Sequence, residues 1–309
     1  MKKITVIGSL NIDFVVEVKH MPVAGETILT DGFTLVPGGK GANQAFALGR
    51  MGANVTMLGA VGKDAYGDVL LKNLVQADVD ISHVAHTDLP TGIALISVDE
   101  TGNNSIIVIQ GANRSVTREY IDSKMDILKA SDVVILQLEI PLETVVYVAT
   151  IAKQLGKTVI LDPAPAPSYL SDELLQQLDI IKPNELELAA LTNMTNIRDN
   201  LEEACNQLLN RGVGCVLASI GSDGVFVAMK DKQPRIFPCE QVPVVDTTAA
   251  GDSFTAAIAF AITNGEDIYS AAQFANQIAT VVISRKGAQS SIPTKQEVDA
   301  IWQSRQILV

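Results

Sequence analysis

Basic residues are scarce in this chain: 23 lysines and arginines stand against 35 aspartates and glutamates, a formal net charge of −12. No basic stripe is available to neutralise a phosphate backbone, which argues against nucleic acid as a partner. Cysteine is rarer still. Cys205, Cys215 and Cys239 are odd in number and lack metal-ligand spacing, so neither a disulfide framework nor a zinc site is indicated. His20, His83 and His86 are the only histidines, and the last two read as surface-loop residues rather than a metal pair. No apolar run reaches the roughly 18 residues that a spanning helix needs, so no membrane association is expected. Residues 4–10 have the hydrophobicity of a signal-peptide core, but Asn11 and Asp13 interrupt it and no small-residue cleavage site follows. The segment therefore reads as a strand, and the protein as cytoplasmic.

What is present is an alternation of strand-like and helix-like segments, the pattern of a mostly parallel sheet covered by helices. Residues 3–8, 56–60, 133–139, 158–162, 180–182 and 216–220 read as buried strands; 42–51, 64–76, 142–155, 201–211 and 251–263 have helical spacing. Two places break the rhythm. Residues 14–18, and then 92–98 and 105–110 joined by Asp99-Glu-Thr-Gly-Asn-Asn104, are strands without intervening helices, the second pair reading as a hairpin. They suit either a small separate sheet lying over the main one as a lid, or an antiparallel extension of the main sheet.

Chemistry concentrates in Val245-Asp-Thr-Thr-Ala-Ala-Gly-Asp-Ser-Phe254, just ahead of an alanine-rich helix. Small residues at 249–251 permit a tight turn and leave amide N–H groups free at a helix start, where the macrodipole also favours an anion. Asp252 in that first turn is either a helix cap or a base that takes a proton from an attacking hydroxyl. Pro37-Gly-Gly-Lys-Gly-Ala-Asn43 is a glycine loop entering a helix, but it lacks the Walker phosphate-loop spacing. Gly212-Val-Gly214 lacks the third glycine of a dinucleotide fingerprint, which disfavours a nicotinamide enzyme.

Six motifs stand in one order: Gly8-Ser-Leu-Asn-Ile-Asp13, Gly38-Gly-Lys-Gly-Ala-Asn43, Gly59-Ala-Val-Gly62, Lys182-Pro-Asn-Glu-Leu-Glu187, Ser219-Ile-Gly-Ser-Asp-Gly224 and Asp246-Thr-Thr-Ala-Ala-Gly-Asp252. Together they resemble the ribokinase family of carbohydrate and nucleoside kinases, over residues 4 to about 295. Gln110-Gly-Ala-Asn113, Gln137-Leu-Glu139 and Arg285-Lys-Gly-Ala-Gln289 resemble its ribose-specific branch. The resemblance implies a three-layer α/β/α fold with a mostly parallel sheet. It makes residues 1–309 one kinase domain carrying inserted lid strands near 14–18, 30–37, 92–98 and 105–110.

The resemblance also implies roles. Asp252 would be the general base, with the amides of Ala249, Ala250 and Gly251 as the anion hole. Asn11, Asp13, Gly39, Lys40, Asn43, Glu139 and Asp252 would hold the sugar. Asn184, Glu187, Ser219, Gly221, Gly224 and Asn276 would meet ATP, Glu187 also organising Mg²⁺ through water. Asp246, Thr248, Val282, Arg285, Gly287 and Ser291 would hold a monovalent cation, K⁺, largely by backbone oxygens. Many relatives have glycine where this chain has Ala249. The implied reaction is ATP-dependent phosphorylation of D-ribose at its 5-hydroxyl. The lid strands 14–18, 92–98 and 105–110 alternate apolar residues on one face of a sheet too thin to bury both sides, so a homodimer joined through the lid sheets is expected. Kinases for deoxyribose, fructose or a nucleoside, and a sugar sensor that has lost catalysis, are the alternatives.

Overall fold

A computed structural model describes residues 2–306. An eight-stranded sheet forms its centre, in the order Arg235–Phe237, Val225–Met229, Cys215–Ser219, Ile180–Ile181, Thr158–Leu161, Val133–Leu136, Lys3–Ile7 and Asn54–Leu58. The six strands from Cys215–Ser219 to Asn54–Leu58 are parallel, and the first two form an antiparallel edge.

Side chains along a strand alternate between the two faces of a sheet, and here both faces are buried. Ile4 and Val6, Val133 and Ile135, and Cys215 and Leu217 enter one core. Ile7, Val134 and Leu136, and Val216 and Ala218 enter the other. The helices Lys40–Arg50, Ala65–Gln76, Ala250–Thr263 and Ile268–Ile283 cover the first face, and Leu142–Gln154, Glu185–Thr192 and Leu201–Asn210 the second. This is the three-layer arrangement expected from the sequence. Fully burying each such aliphatic side chain contributes about 1.5–3 kcal/mol, so two cores on one sheet hold it in place from both sides.

The strands that broke the rhythm form a separate four-stranded sheet, in the order Thr34–Gly38, Asn11–Val18, Gly92–Asp99 and Asn104–Ile109. Its central pair is parallel and its outer pairs antiparallel. Asn11–Val18 begins earlier than the expected residue 14, which places both Asn11 and Asp13 on the sheet. Residues 30–33 lie outside the strand expected over 30–37; pairing starts at Thr34 opposite Val15. The strand expected over 133–139 stops at Leu136, so Gln137 and Glu139 lie beyond the end of the sheet rather than in it. The helix expected over 42–51 begins two residues earlier, at Lys40.

Candidate active site

In an open α/β sheet, ligands gather beyond the carboxyl ends of the parallel strands, and the polar residues of this chain collect there. Asp162 follows Thr158–Leu161, Lys182 follows Ile180–Ile181, and Ser219 ends Cys215–Ser219. A cleft of about 570 Å³ opens at this edge. Asn184, Glu187, Ser219, Gly221, Gly224 and Asn276 all line it, so three separate stretches of the sequence meet there. Asn184 caps the Glu185–Thr192 helix in a capping box: its side chain accepts the Glu187 N–H at 2.8 Å, and Glu187 Oε2 accepts the Asn184 N–H at 2.7 Å. The wall is thus fixed in place before any ligand arrives. Burial, together with nearby Asp162, raises the Glu187 carboxyl despite Lys182. Asn276 Nδ2 donates to Phe237 O at 2.7 Å, pinning the Ile268–Ile283 helix to the edge strand. Gly224 stands at φ +98, and a Cβ there would meet Phe237 O at 2.1 Å, so no side chain fits.

At the inner end of the cleft the helix Ala250–Thr263 begins. Ala249 takes the left-handed conformation (φ 62, ψ 7), unusual for alanine, and turns the chain into the helix. The Ala250 amide donates to Thr247 O at 3.2 Å. Among the described residues the amides of Ala249 and Gly251 have no acceptor, and the Lys182 ammonium lies 3.0 Å from where a Gly251 Cβ would stand. Free donors and a buried cation at a helix N-terminus make a site for an anion.

Asp252, 6% exposed, is the floor of this end. Its Oδ2 accepts from Asn43 Nδ2 at 2.9 Å and its Oδ1 from Gln44 Nε2 at 3.1 Å. Burial raises the Asp252 carboxyl above the usual range, Asp162 adds to this, and Lys40 opposes it. Burial works against the Lys40 ammonium too, yet the carboxylates of Asp252, Asp162, Glu139 and Glu187 push it above the ordinary lysine range, so it stays charged. Both Lys40 and Asp252 line the cleft.

A second polar cluster joins Glu139 to Lys40 and to Asn11 and Asp13 at the start of the smaller sheet. Glu139 Oε2 accepts from Ser9 Oγ at 2.5 Å and from the Lys40 amide at 3.1 Å. Asn11 Oδ1 accepts from Asn113 Nδ2 at 2.7 Å. Asp13 is 9% exposed and its Oδ1 has no donor among the described residues. Burial, with Glu139 and Asp252, raises its carboxyl from 3.8 to about 7, against the pull of Lys40. An orphaned buried carboxylate oxygen of this kind asks for a ligand donor. Gly39 (φ +86) lets the loop pass within 2.7 Å of Asn11 N, counted from a built Cβ, which no side chain would allow.

Asp246 joins two further stretches. It accepts from Thr248 N and Oγ1 at 2.9 and 2.6 Å, and from Gly287 N at 2.9 Å. Burial works upward on this carboxyl, but those donors and Lys286 outweigh it and hold it below the usual range. Val282 is buried, Ser291 Oγ donates to Ala288 O at 2.6 Å, and the Arg285 guanidinium is committed to Glu297 at 2.6 Å.

Several residues of the site have no role that the sequence motifs imply: Gln44, Asp162, Lys182 and Gln137, all at most 4% exposed, and Gln289 at 5%. Lys182 and Asp162 form a buried ion pair at 3.4 Å. Their signal was positional, a charged residue directly after a run of buried strand residues. Gln44 and Gln137 gave a weaker one, since each is a lone polar residue in an otherwise small or apolar run.

The pfkB family carbohydrate kinase model matches residues 1–295. A ribokinase from Bacillus subtilis is 40% identical over 305 residues, covering 97% of this chain and 99% of its own length. The ribokinase structure from Thermotoga maritima superposes with a TM-score of 0.89 at 38% identity, covering 98% of this chain and all of that one. The structure of Arabidopsis thaliana ribokinase complexed with ribose and ATP does so with a TM-score of 0.89 at 34% identity, over 97% and 99%. With the match running almost end to end, and with a buried carboxylate at the helix start where the two halves of the site meet, the chain belongs to the pfkB family of carbohydrate kinases.

Proposed function

We propose that this protein transfers the γ-phosphoryl group of ATP to the 5-hydroxyl of D-ribose, giving ribose 5-phosphate and ADP. The observation that carries this reading is the place of Asp252: a buried carboxylate that lines the same cleft as Asn184, Ser219 and Asn276 and accepts from Asn43, on the helix that the Gly39–Lys40 loop opens. On this reading Asn11, Asp13, Gly39, Lys40 and Glu139 grip the sugar hydroxyls. Asn43 borders the sugar while its amide serves Asp252 and Gln289. The orphaned Asp13 oxygen accepts from a hydroxyl.

Asp252 then takes the 5-hydroxyl proton as the new O–P bond forms and the bond to the β-phosphate oxygen breaks. The start of the Ala250–Thr263 helix, with Ala249, Ala250 and Gly251, receives the negative charge of the moving group, and Lys40 and Lys182 add positive potential in an otherwise acidic chain. Asn184, Ser219, Gly221, Gly224 and Asn276 seat the nucleotide.

Among the described residues no three histidine, cysteine or carboxylate groups gather as a direct metal site. That fits a magnesium ion brought with the nucleotide and met through water by Glu187. When bound, it neutralises phosphate oxygens. Asp246, Thr248, Val282, Arg285, Gly287 and Ser291 fit a monovalent cation held chiefly by backbone oxygens, because the Asp246–Gly287 bond draws both stretches together. The smaller sheet acts as a lid that excludes water as a competing acceptor. Its outer strand exposes Ile106, Ile107, Val108 and Ile109 by 39–63%, and a second copy of the same sheet is its partner, giving a homodimer. Among the described residues no helix is long and apolar enough to cross a membrane; with three free thiols, the cytoplasm is the fitting compartment.

The test is Asp252→Asn, which keeps size and helix start but removes the proton acceptor. Turnover is expected to fall by about 10²–10⁴ with sugar affinity little changed. A variant that kept more than about a tenth of wild-type turnover, far above that range, would reduce Asp252 to a helix-start carboxylate.

A further inference from the structure

Asp252 is not held by its own helix. Both of its oxygens accept from consecutive residues of the Lys40–Arg50 helix, Asn43 and Gln44. Gln44 does more than Asn43. Its Nε2 also donates to Asp162 Oδ2 at 3.0 Å, so its two amide hydrogens are divided between two carboxylates. Its Oε1 accepts from Gln137 Nε2 at 2.5 Å. Gln44 and Gln137 are both fully buried. The orientation of the amide is dictated by these partners, because the flipped amide would set its oxygen against two carboxylates.

We propose that Gln44 is a positioning residue for phosphoryl transfer: anchored by Gln137, its amide spans Asp162 and Asp252, keeps them apart, and aims Asp252 at the sugar hydroxyl. This rests on Asp252 being the base. A packing role asks only for volume at position 44, and a thioether or an alkyl chain would supply it. Two donated hydrogens favour the ionised form of both carboxylates and cost nothing when the pH changes, since an amide does not titrate. The charged groups facing Asp252 are Lys40 from the start of the Lys40–Arg50 helix, Asp162 beyond Thr158–Leu161, Lys182 beyond Ile180–Ile181, and Asp13 from the smaller sheet. The two aspartates oppose ionisation of Asp252 and the two lysines favour it. Removing the amide leaves the balance of these four intact but takes away the donor between Asp162 and Asp252, so the base becomes harder to ionise and is held by Asn43 alone.

The experiment measures the pH dependence of kcat, with saturating ribose and MgATP, for wild type, Gln44→Met, Gln137→Met and Asp252→Asn, with thermal unfolding of each. Gln44→Met is expected to lose about 10- to 100-fold in kcat, the range for a base misplaced by about 1 Å, with the sugar KM little changed. Its acidic limb should move up by about one pH unit. Gln137→Met leaves Asp252's own bonds in place and should shift the limb the same way by less. A merely structural role would lower the unfolding temperature without moving the limb. Profiles that superpose on wild type while Asp252→Asn is inactive would overturn the role of Gln44 alone. An active Asp252→Asn would overturn the base, and this inference with it. Should Gln44→Met fail to fold, an unmoved limb in Gln137→Met overturns the proposal.

Discussion

Asp13 makes the functional reading measurable as stability, without any turnover. In the sugar-free protein its carboxyl sits near 7 rather than 3.8, with burial the largest cause. Below about pH 3.8 the group is protonated in both folded and unfolded chains and costs nothing. Between 3.8 and 7 the unfolded chain has released the proton while the folded one retains it, so stability falls as pH rises. Above 7 the full cost is present. At about 1.4 kcal/mol per pH unit, the interval from 3.8 to about 7 corresponds to about 4 kcal/mol at pH 8, and to about 1.5 kcal/mol at pH 5. Asp13→Asn keeps the shape and removes the charge. It should therefore stabilise the sugar-free protein by up to about 4 kcal/mol at pH 8 and much less at pH 5. For a chain of this length that is a rise of up to about 6 °C in Tm at the higher pH. The assay is thermal unfolding of both proteins at the two pH values, with and without ribose, which should stabilise wild type and leave the variant nearly unchanged. A variant that gains no stability at pH 8, or gains equally at both, would refute a buried carboxylate waiting for a hydroxyl.

Three other outcomes follow from the same geometry. Gly41→Ala should cost about 1–3 kcal/mol and most of the activity, because its Cβ would lie 2.7 Å from the backbone of Gly8 and Ser9 and push Asn43 and Gln44 away from Asp252; unfolding and kinetics of a stable, fully active variant would contradict this. K⁺ should raise turnover several-fold over Na⁺ at equal ionic strength, since a site of backbone oxygens suits the larger, more weakly hydrated ion; equal rates would remove the cation from the Asp246 loop. Light scattering at micromolar concentration should give a dimer for wild type and a monomer for Ile107→Lys, and a monomeric wild type would free the outer lid strand of a partner.

The main sheet was legible because its strands are buried on both faces and separated by amphipathic helices, so Val133–Leu136 and Thr158–Leu161 stand out as short apolar runs. The smaller sheet was legible from the opposite sign, strands with no helix between them. Their boundaries were not: Asn11 and Ile12 look like loop after Gly8, and only pairing with Pro37–Gly38 on one side and Gly92–Ile93 on the other makes them strand. The antiparallel edge at Val225–Met229 and Arg235–Phe237 carried no strong signal, since the second strand is short and exposed. In the site, motif residues could be named singly from the chain, whereas the partners of Gln44, Asp162 and Lys182 could not. Gln44 meets Asp252 across 208 positions of sequence, a contact that no local pattern encodes.

Phosphoryl transfer to ribose is read out by incubating the protein with MgATP and each of D-ribose, 2-deoxyribose, fructose and adenosine, following ADP formation and identifying the product by phosphorus NMR. A substrate without the 2-hydroxyl leaves a buried partner unsatisfied, at about 1–3 kcal/mol and more for a charged group. A six-carbon sugar displaces the reacting hydroxyl from Asp252, and a displacement of about 1 Å can cost about 10² in rate. Ribose 5-phosphate is the expected product, with a kcat/KM for ribose at least roughly 10-fold above each competitor. Preference for any of the other three, or a phosphate on another hydroxyl of ribose, would contradict it.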